Sequence, residues 1–180
     1  MEDLALHILD IAQNSLEAGA GTIEIEILEN LSEDSFVILV RDNGRGMDAD
    51  TLAKATDPFF TTRTTRRVGM GLPMLAAAAK AAGGALAVDS KPGQGTAIRA
   101  TFRHKNLDRA PLGDIETTLM VLLAGQQDKA IFFRHLIDDR IFELDSSDFK
   151  EADIDLTSPV GLAILRQAIR SGEAGLRKDI

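Results

Sequence analysis

The sequence predicts an α/β two-layer sandwich, a mixed β-sheet covered on one face by helices, followed by a small α+β extension. Three patterns carry that expectation. Thr22-Ile23-Glu24-Ile25-Glu26-Ile27 alternates strictly between polar and apolar, the period of a half-exposed strand. Gly71 to Ala82 is alanine-rich, so its helix propensity is high. Ala85 to Ser90 and Thr96 to His104 are strand-like runs on either side of Lys91-Pro92-Gly93-Gln94-Gly95, a turn-forming sequence that closes a hairpin. Helices with one apolar stripe and a sheet with one apolar face bury those surfaces against each other.

The remaining elements follow in chain order. Asp3 to Ala18 reads as a helix, with Leu4, Ile8, Ile11 and Leu16 near one face and Ala-Gly-Ala-Gly at 18–21 to stop it. Ser35 to Arg41 pairs with the alternating strand across a polar loop at 30–34. Asp48 to Thr56 is a short helix capped by Asp48. Gly83-Gly84 ends the alanine-rich helix. Beyond Lys105, Asp114 caps an apolar helix reaching Ala124. Ile131–Ile137 and Ile141–Leu144, joined through Asp138-Asp139-Arg140, form a second hairpin. Thr157-Ser158-Pro159 opens a last helix, with Pro159 in the first turn where a missing N–H is harmless.

At 180 residues the chain can hold one domain with a small appendage, and the expected division is a domain over 1–104 and an extension over 105–180. A net charge of −8 argues against a nucleic-acid partner or an acidic membrane surface. Against that background the basic cluster Arg63, Arg66, Arg67 stands out. With no cysteine there is no disulfide framework or thiolate metal site. No apolar run is long enough to span a bilayer and no signal-peptide pattern opens the chain, so a cytoplasmic location is expected.

The most informative stretch is Asp42-Asn43-Gly44-Arg45-Gly46-Met47. The apolar run Val37-Ile38-Leu39-Val40 delivers an aspartate to a point where two glycines let the backbone turn sharply and approach a ligand. A carboxylate there can accept from the exocyclic amine of a purine. Three other regions join it: Asp10 to Ala20 upstream, Asp57-Pro58-Phe59-Phe60-Thr61-Thr62-Arg63 with Gly69-Met70-Gly71-Leu72, and Gly93-Gln94-Gly95-Thr96. The set resembles the N, G1, F, G2 and G3 boxes of the GHKL superfamily, which groups gyrase, heat-shock chaperone, histidine kinase and MutL-type ATPases. All boxes occur in order over about residues 3–104. The resemblance implies a Bergerat-type fold that binds ATP and Mg2+.

Carried over residue by residue, it implies a site built from Asp10, Asn14, Asp42, Gly44, Gly46, Met47, Phe59, Thr62, Arg63, Gly69, Gly71, Leu72 and Thr96. Asn14 follows Asp10 by one helical turn on the same face and offers an amide oxygen to a magnesium ion that bridges nucleotide phosphates. The family's residue four before this asparagine is usually glutamate, acting as base or polariser. Asp10 is one methylene shorter, by about 1.5 Å, and a base must come within roughly 2.6–3.2 Å of its proton. Binding should therefore survive while turnover is slow. The segment 57–70 forms a short lid, with Phe59 and Phe60 as anchors and Thr61, Thr62 and the arginines as phosphate donors. Gly69-Met70-Gly71 opens a helix whose free N–H groups suit an anion. Thr96 starts a strand after a glycine turn, as does the family threonine near the adenine.

Three functions compete. The favoured one is a stand-alone kinase that transfers the γ-phosphate of Mg-ATP to a separate phosphoacceptor or regulatory protein. The lid and Gly-Met-Gly-Leu are most similar to sensor histidine kinases and anti-sigma-factor serine kinases. The N box opens almost at Met1, so no histidine-bearing helix pair is expected ahead of it and the acceptor is expected elsewhere. The alternatives are a MutL- or chaperone-type ATPase switch, since Asn-Ser-Leu-Glu-Ala-Gly-Ala is closer to the MutL-type N box than to the histidine-kinase one, and a non-hydrolysing regulator, suggested by Asp10. His7 reads as a surface helix histidine, and His104 and His135, at a strand end and in a hairpin, as histidines that no Glu or Asp places as metal ligands. The apolar second hairpin is expected to pack against the ATP domain or a partner, with a homodimer as one form.

Overall fold

The computed structural model describes residues 3–57, 71–126 and 128–177. Asp3 caps the first helix, α1 (Leu4–Glu17), by accepting from the Leu6 amide at 3.0 Å. Leu4, Ala5, Ile8, Ile11, Ala12 and Ser15 form its inward stripe. Strands β1 (Thr22–Asn30) and β2 (Ser35–Asp42) run antiparallel, pairing Ile23 with Asp42, Ile25 with Val40 and Ile27 with Ile38. A six-residue helix, α2 (Ala49–Lys54), starts at the Asp48 cap, where the Thr51 amide holds the Asp48 carboxyl below its usual pKa. The alanine-rich α3 (Gly71–Ala81) ends where the Gly83 and Gly84 amides return to the Lys80 and Ala79 carbonyls. Then come β3 (Ala85–Lys91) and β4 (Gly95–Arg103), which pair as a hairpin, and β4 also pairs with β2.

The extension continues this sheet. Helix α4 (Ile115–Gly125), capped by Asp114, leads to β5 (Ala130–Ile137), which lies parallel to β1 with Ile131 beside Ile23 and Phe133 beside Ile25. β6 (Arg140–Asp145) returns antiparallel to β5. A short helix that the sequence reading did not anticipate, α5 (Ser146–Glu151), precedes α6 (Pro159–Leu176), which has Ser158 at its cap and Pro159 in its first turn. The sheet order is β3-β4-β2-β1-β5-β6. One apolar cluster spans both segments. It joins Ile23, Ile25, Ile38 and Val40 to Ile8 and Ile11 of α1, Leu75 of α3, Leu119 and Leu122 of α4, and Leu165 and Ile169 of α6.

The opposite sheet face carries ion pairs. Arg41 lies 3.7 Å from Glu24 and 2.7 Å from Glu26, and Arg134 lies 3.4 Å from Glu26 and 2.8 Å from Glu143. These cross-strand pairs are solvated and individually weak. They explain why the glutamates of β1 alternate with isoleucines: one row faces water and the other the helices. Among the described residues no helix is long and apolar enough to cross a membrane.

Candidate functional site

β2 ends at Asp42, and both oxygens of that carboxylate are held. Oδ1 accepts from the Gly44 amide at 2.8 Å, and Oδ2 accepts from the Ser15 hydroxyl of α1 at 2.7 Å. An ionised carboxylate has about four lone-pair directions, so acceptor capacity remains after these two bonds. Asn43 fixes the turn that follows, because its Oδ1 accepts from the Gly21 and Thr22 amides at 2.8 and 2.9 Å. The Arg45 amide closes the same turn onto the Ala18 carbonyl at 3.0 Å.

Two turns then press against each other. The Gly93 amide donates to the Arg45 carbonyl at 2.8 Å. Gly46 has φ +66°, and a Cβ there would collide with the Lys91 carbonyl; Gly95 has φ +82°, and a Cβ there would collide with the Asp42 carbonyl. Any other residue would have to pay both the left-handed backbone and the collision. Asp42 and Thr96 are direct partners across β2 and β4, and Ser90 is the partner of Thr96 across β3 and β4. The Ser90 hydroxyl ties the cluster together: it accepts from the Met47 amide at 2.9 Å, donates to the Gly95 carbonyl at 2.9 Å, and lies 2.9 Å from the Thr96 hydroxyl. Asp42, Ser90 and Thr96 share the wall of one cavity of about 190 Å³.

Asp10 and Asn14 lie one turn apart on α1, both half-buried. The Asp10 carboxylate sits against the first residue of α3, since a Cβ on Gly71 would overlap its Oδ2. Leu72, next in α3, packs against the apolar cluster. Phe59, Phe60, Thr61, Thr62, Arg63 and Gly69 lie outside the described residues. The described chain thus brings together Asp42, Gly44, Gly46, Met47 and Thr96, and on the neighbouring helices Asp10, Asn14 and Gly71. Among the described residues no group of three or more His, Cys, Asp or Glu could hold a metal ion. Asn14 fits a hard cation held chiefly by phosphate oxygens and water rather than by a protein cage.

Two residues of this cluster were not anticipated. Ser15 is 3% exposed on the inward stripe of α1, and a serine among those apolar positions is the signal that would have found it. Ser90 shares the inner face of β3 with Leu86 and Val88, where alternation predicts an apolar side chain. The reading of His7 needs correction. His7 is not a surface residue: it is 6% exposed, because its position falls in the stripe with Leu4 and Ile11. His104 and His135 share a carboxylate, Glu29, at 2.6 and 3.0 Å.

The family described as "Histidine kinase-, DNA gyrase B-, and HSP90-like ATPase" matches residues 2–106. The sensor protein kinase FleS of Pseudomonas aeruginosa is 38% identical over 109 residues, 61% of this chain and 26% of that protein. Among solved structures, the MutL ATPase domain of Aquifex aeolicus, complexed with ADP, superposes with a TM-score of 0.53 at 16% identity over 87% of this chain and 69% of that one. The N-terminal domain of a DNA repair protein gives a TM-score of 0.56 at 14% identity over 90% of this chain and 59% of its own. The chain therefore spans about a quarter of the length of its FleS relative.

Proposed function

Because the chain belongs to the family of histidine kinase-, DNA gyrase B- and HSP90-like ATPases, matched over residues 2–106, we propose that residues 1–104 form a kinase unit. It transfers the γ-phosphate of Mg-ATP to a separate signalling protein, with residues 105–180 as an extension built onto it. The observation that carries the adenine end is the Asp42 carboxylate, fixed by Ser15 and Gly44 and directly opposite Thr96. Held this way it accepts from the exocyclic amine of adenine, while the glycine turns at 44–46 and 93–95 allow the base and sugar to approach the backbone.

At the other end, Asn14 would hold a magnesium ion, which would supply charge neutralisation to the phosphates. The N-terminus of α3 at Gly71 donates to phosphate oxygens, a role that the resemblance also assigns to Gly69, Thr62 and Arg63. Met47 and Leu72 close the apolar sides, a role that the resemblance also assigns to Phe59. Asp10 polarises the attacking group. Its contact with Gly71 supports this role, because the shorter arm still reaches the helix end to which the phosphates are assigned here.

None of the three histidines of this sequence suits the role of acceptor. His7 and His135 are buried and His104 is tied to Glu29, so none is presented to an incoming phosphate. The relation to sensor kinases supports phosphotransfer over simple hydrolysis. A second reading, an ATP-driven conformational switch, is favoured by one observation: the MutL superposition covers 87% of the chain and so takes in much of the extension. Incubation with γ-labelled ATP and magnesium, with and without candidate partners, separates them. Label on a partner protein supports the kinase; free phosphate alone supports the switch; neither, with binding intact, leaves a nucleotide-binding regulator.

A further inference from the structure

Far from the Asp42 cluster, four titratable side chains meet under the C-terminal helix. β1 alternates Ile23, Ile25, Ile27 toward the helices, and the next inward position is Glu29. Its Oε1 lies 3.0 Å from Nε2 of His135 on β5, and its Oε2 lies 2.6 Å from Nε2 of His104. The other His135 nitrogen, Nδ1, lies 2.8 Å from Oε1 of Glu173 on α6. The His135 side chain is 0% exposed, and those of Glu29 and Glu173 are 10% and 14% exposed. Glu173 Oε2 is buried with no hydrogen-bond partner among the described residues. α6 comes down close here: a Cβ on Gly172 would collide with the ring of Phe142, the direct β6 partner of His135.

A neutral imidazole has one N–H and one lone pair. Both nitrogens of His135 face carboxylate oxygens, so a neutral ring would set lone pair against lone pair on one side. An imidazolium donates to both. We propose that the folded protein keeps His135 as an imidazolium and that this proton latches α6 to the sheet, so that the C-terminal helix loosens as pH rises. The surrounding charges are Glu29 from β1, Glu173 from α6, His104 with Arg109 behind it (its Nε donates to the His104 carbonyl at 2.8 Å), and Arg140, on the same face of β6 opposite Ile137. Loss of the His135 proton leaves two carboxylates facing one neutral ring, the uncompensated burial that costs most in buried ionic clusters.

Burial opposes the charge on His135, but the bonds to Glu173 and Glu29 outweigh it and hold the ring above its ordinary value of 6.5. Burial likewise works against ionised Glu29, yet the two histidines hold it below 4.5. The signs follow from linkage. The His135 contribution is complete below the unfolded histidine pKa and is lost as pH rises through the higher folded one. The Glu29 contribution is complete above the unfolded glutamate pKa and is lost as pH falls through the lower folded one. The latch is tightest between those limits.

The test is an imidazole-tuned 1H–15N correlation spectrum of the full chain, followed from mildly acidic to alkaline pH. Two ring N–H signals from His135 at neutral pH, and a titration midpoint above 6.5, are expected. Exchange of the α6 amides, corrected for the intrinsic pH dependence, should accelerate across that titration. Glu173→Gln should lower the midpoint and remove the pH dependence of α6 exchange. Its ATP-dependent stabilisation should stay that of the parent, because Glu29 lies roughly 20 Å along β1 from Ile23, the partner of Asp42, at ~3.3 Å per residue. A single ring N–H at neutral pH, or α6 exchange with no such pH dependence in the parent chain, overturns the latch. If Glu173→Gln does not fold, the parent titration decides alone.

Discussion

The Asp42 end of the sheet and the C-terminal extension are built under different constraints. Around Asp42, residue identity is dictated by backbone approach. Gly46 meets the Lys91 carbonyl, Gly95 meets the Asp42 carbonyl, and no side chain fits either place. In the extension, identity is dictated by volume: Ile131, Phe133, Leu119, Leu165 and Ile169 fill one side of a sheet, and other apolar residues of similar size would serve. The first kind of constraint leaves a motif that a family match detects, and that match stops at residue 106. The second leaves only a pattern. Superposition on the MutL ATPase domain nevertheless covers 87% of the chain, because folds persist where motifs do not.

The largest test of this contrast is removal. A chain ending at His104 loses β5, so β1 becomes an unpaired edge and the inner row Ile23, Ile25, Ile27 loses a neighbour. It also loses Leu119, Leu122, Ile131, Phe133, Leu165 and Ile169, each at most 2% exposed. At roughly 1.5–3 kcal/mol per side chain, that loss is on the order of 10 kcal/mol, comparable to the roughly 5–15 kcal/mol net stability of a domain. The truncated chain should aggregate in light scattering and lose its cooperative melt. A soluble monomer that binds ATP like the parent would show that the two regions are separable after all.

Next in size is Asp42→Asn. The fold should hold, because an amide can still accept from Gly44. The ATP-dependent rise in melting temperature, which follows RT ln(1 + [L]/Kd), should largely vanish, since one oxygen becomes a donor facing the adenine amine. An unchanged shift with an intact fold would remove Asp42 from the adenine site. At the phosphate end, Asn14→Ala should weaken Mg-ATP while sparing adenosine, and equal losses of both would count against metal ligation. Asp10→Asn should leave ATP binding intact and abolish phosphate release or transfer. Turnover at the parent rate would show that Asp10 is not the polarising group.

How much of this was legible follows from the same contrast. Strands β1 to β4, their hairpin turns and the Asp42-to-Met47 turn were legible because each is specified by neighbours in sequence: alternation, glycine and caps. The second hairpin was legible too, but its place beside β1 was not, since Ile23 and Ile131 are far apart in the chain and meet only in the folded sheet. His7 was misread because a lone histidine carries no sign of which helical face it occupies; only the phase set by Leu4, Ile8 and Ile11 does. Glu29 was the quietest clue. It continues an inward isoleucine row, so its charge had to be met, but its partners His104 and His135 lie far along the chain.

The smallest predicted effect is the most discriminating. Ser15 donates to Asp42 Oδ2 at 2.7 Å while sitting 3% exposed in the α1 stripe, so it belongs at once to the packing and to the site. Ser15→Ala removes one hydroxyl and leaves a methyl group where the neighbours Ile11 and Ala12 are already apolar. A neutral hydrogen bond contributes about 0.5–1.5 kcal/mol net, and a bond to a charged group about 1.5–3. Asp42 keeps its bond from Gly44, so its carboxylate should remain near the turn but swing more freely. Affinity for ATP should therefore fall by roughly tenfold, the equivalent of about 1.4 kcal/mol, while the melting temperature without nucleotide changes little. If stability falls and ATP affinity does not, the hydroxyl serves the core alone and orientation of Asp42 rests on the glycine turn.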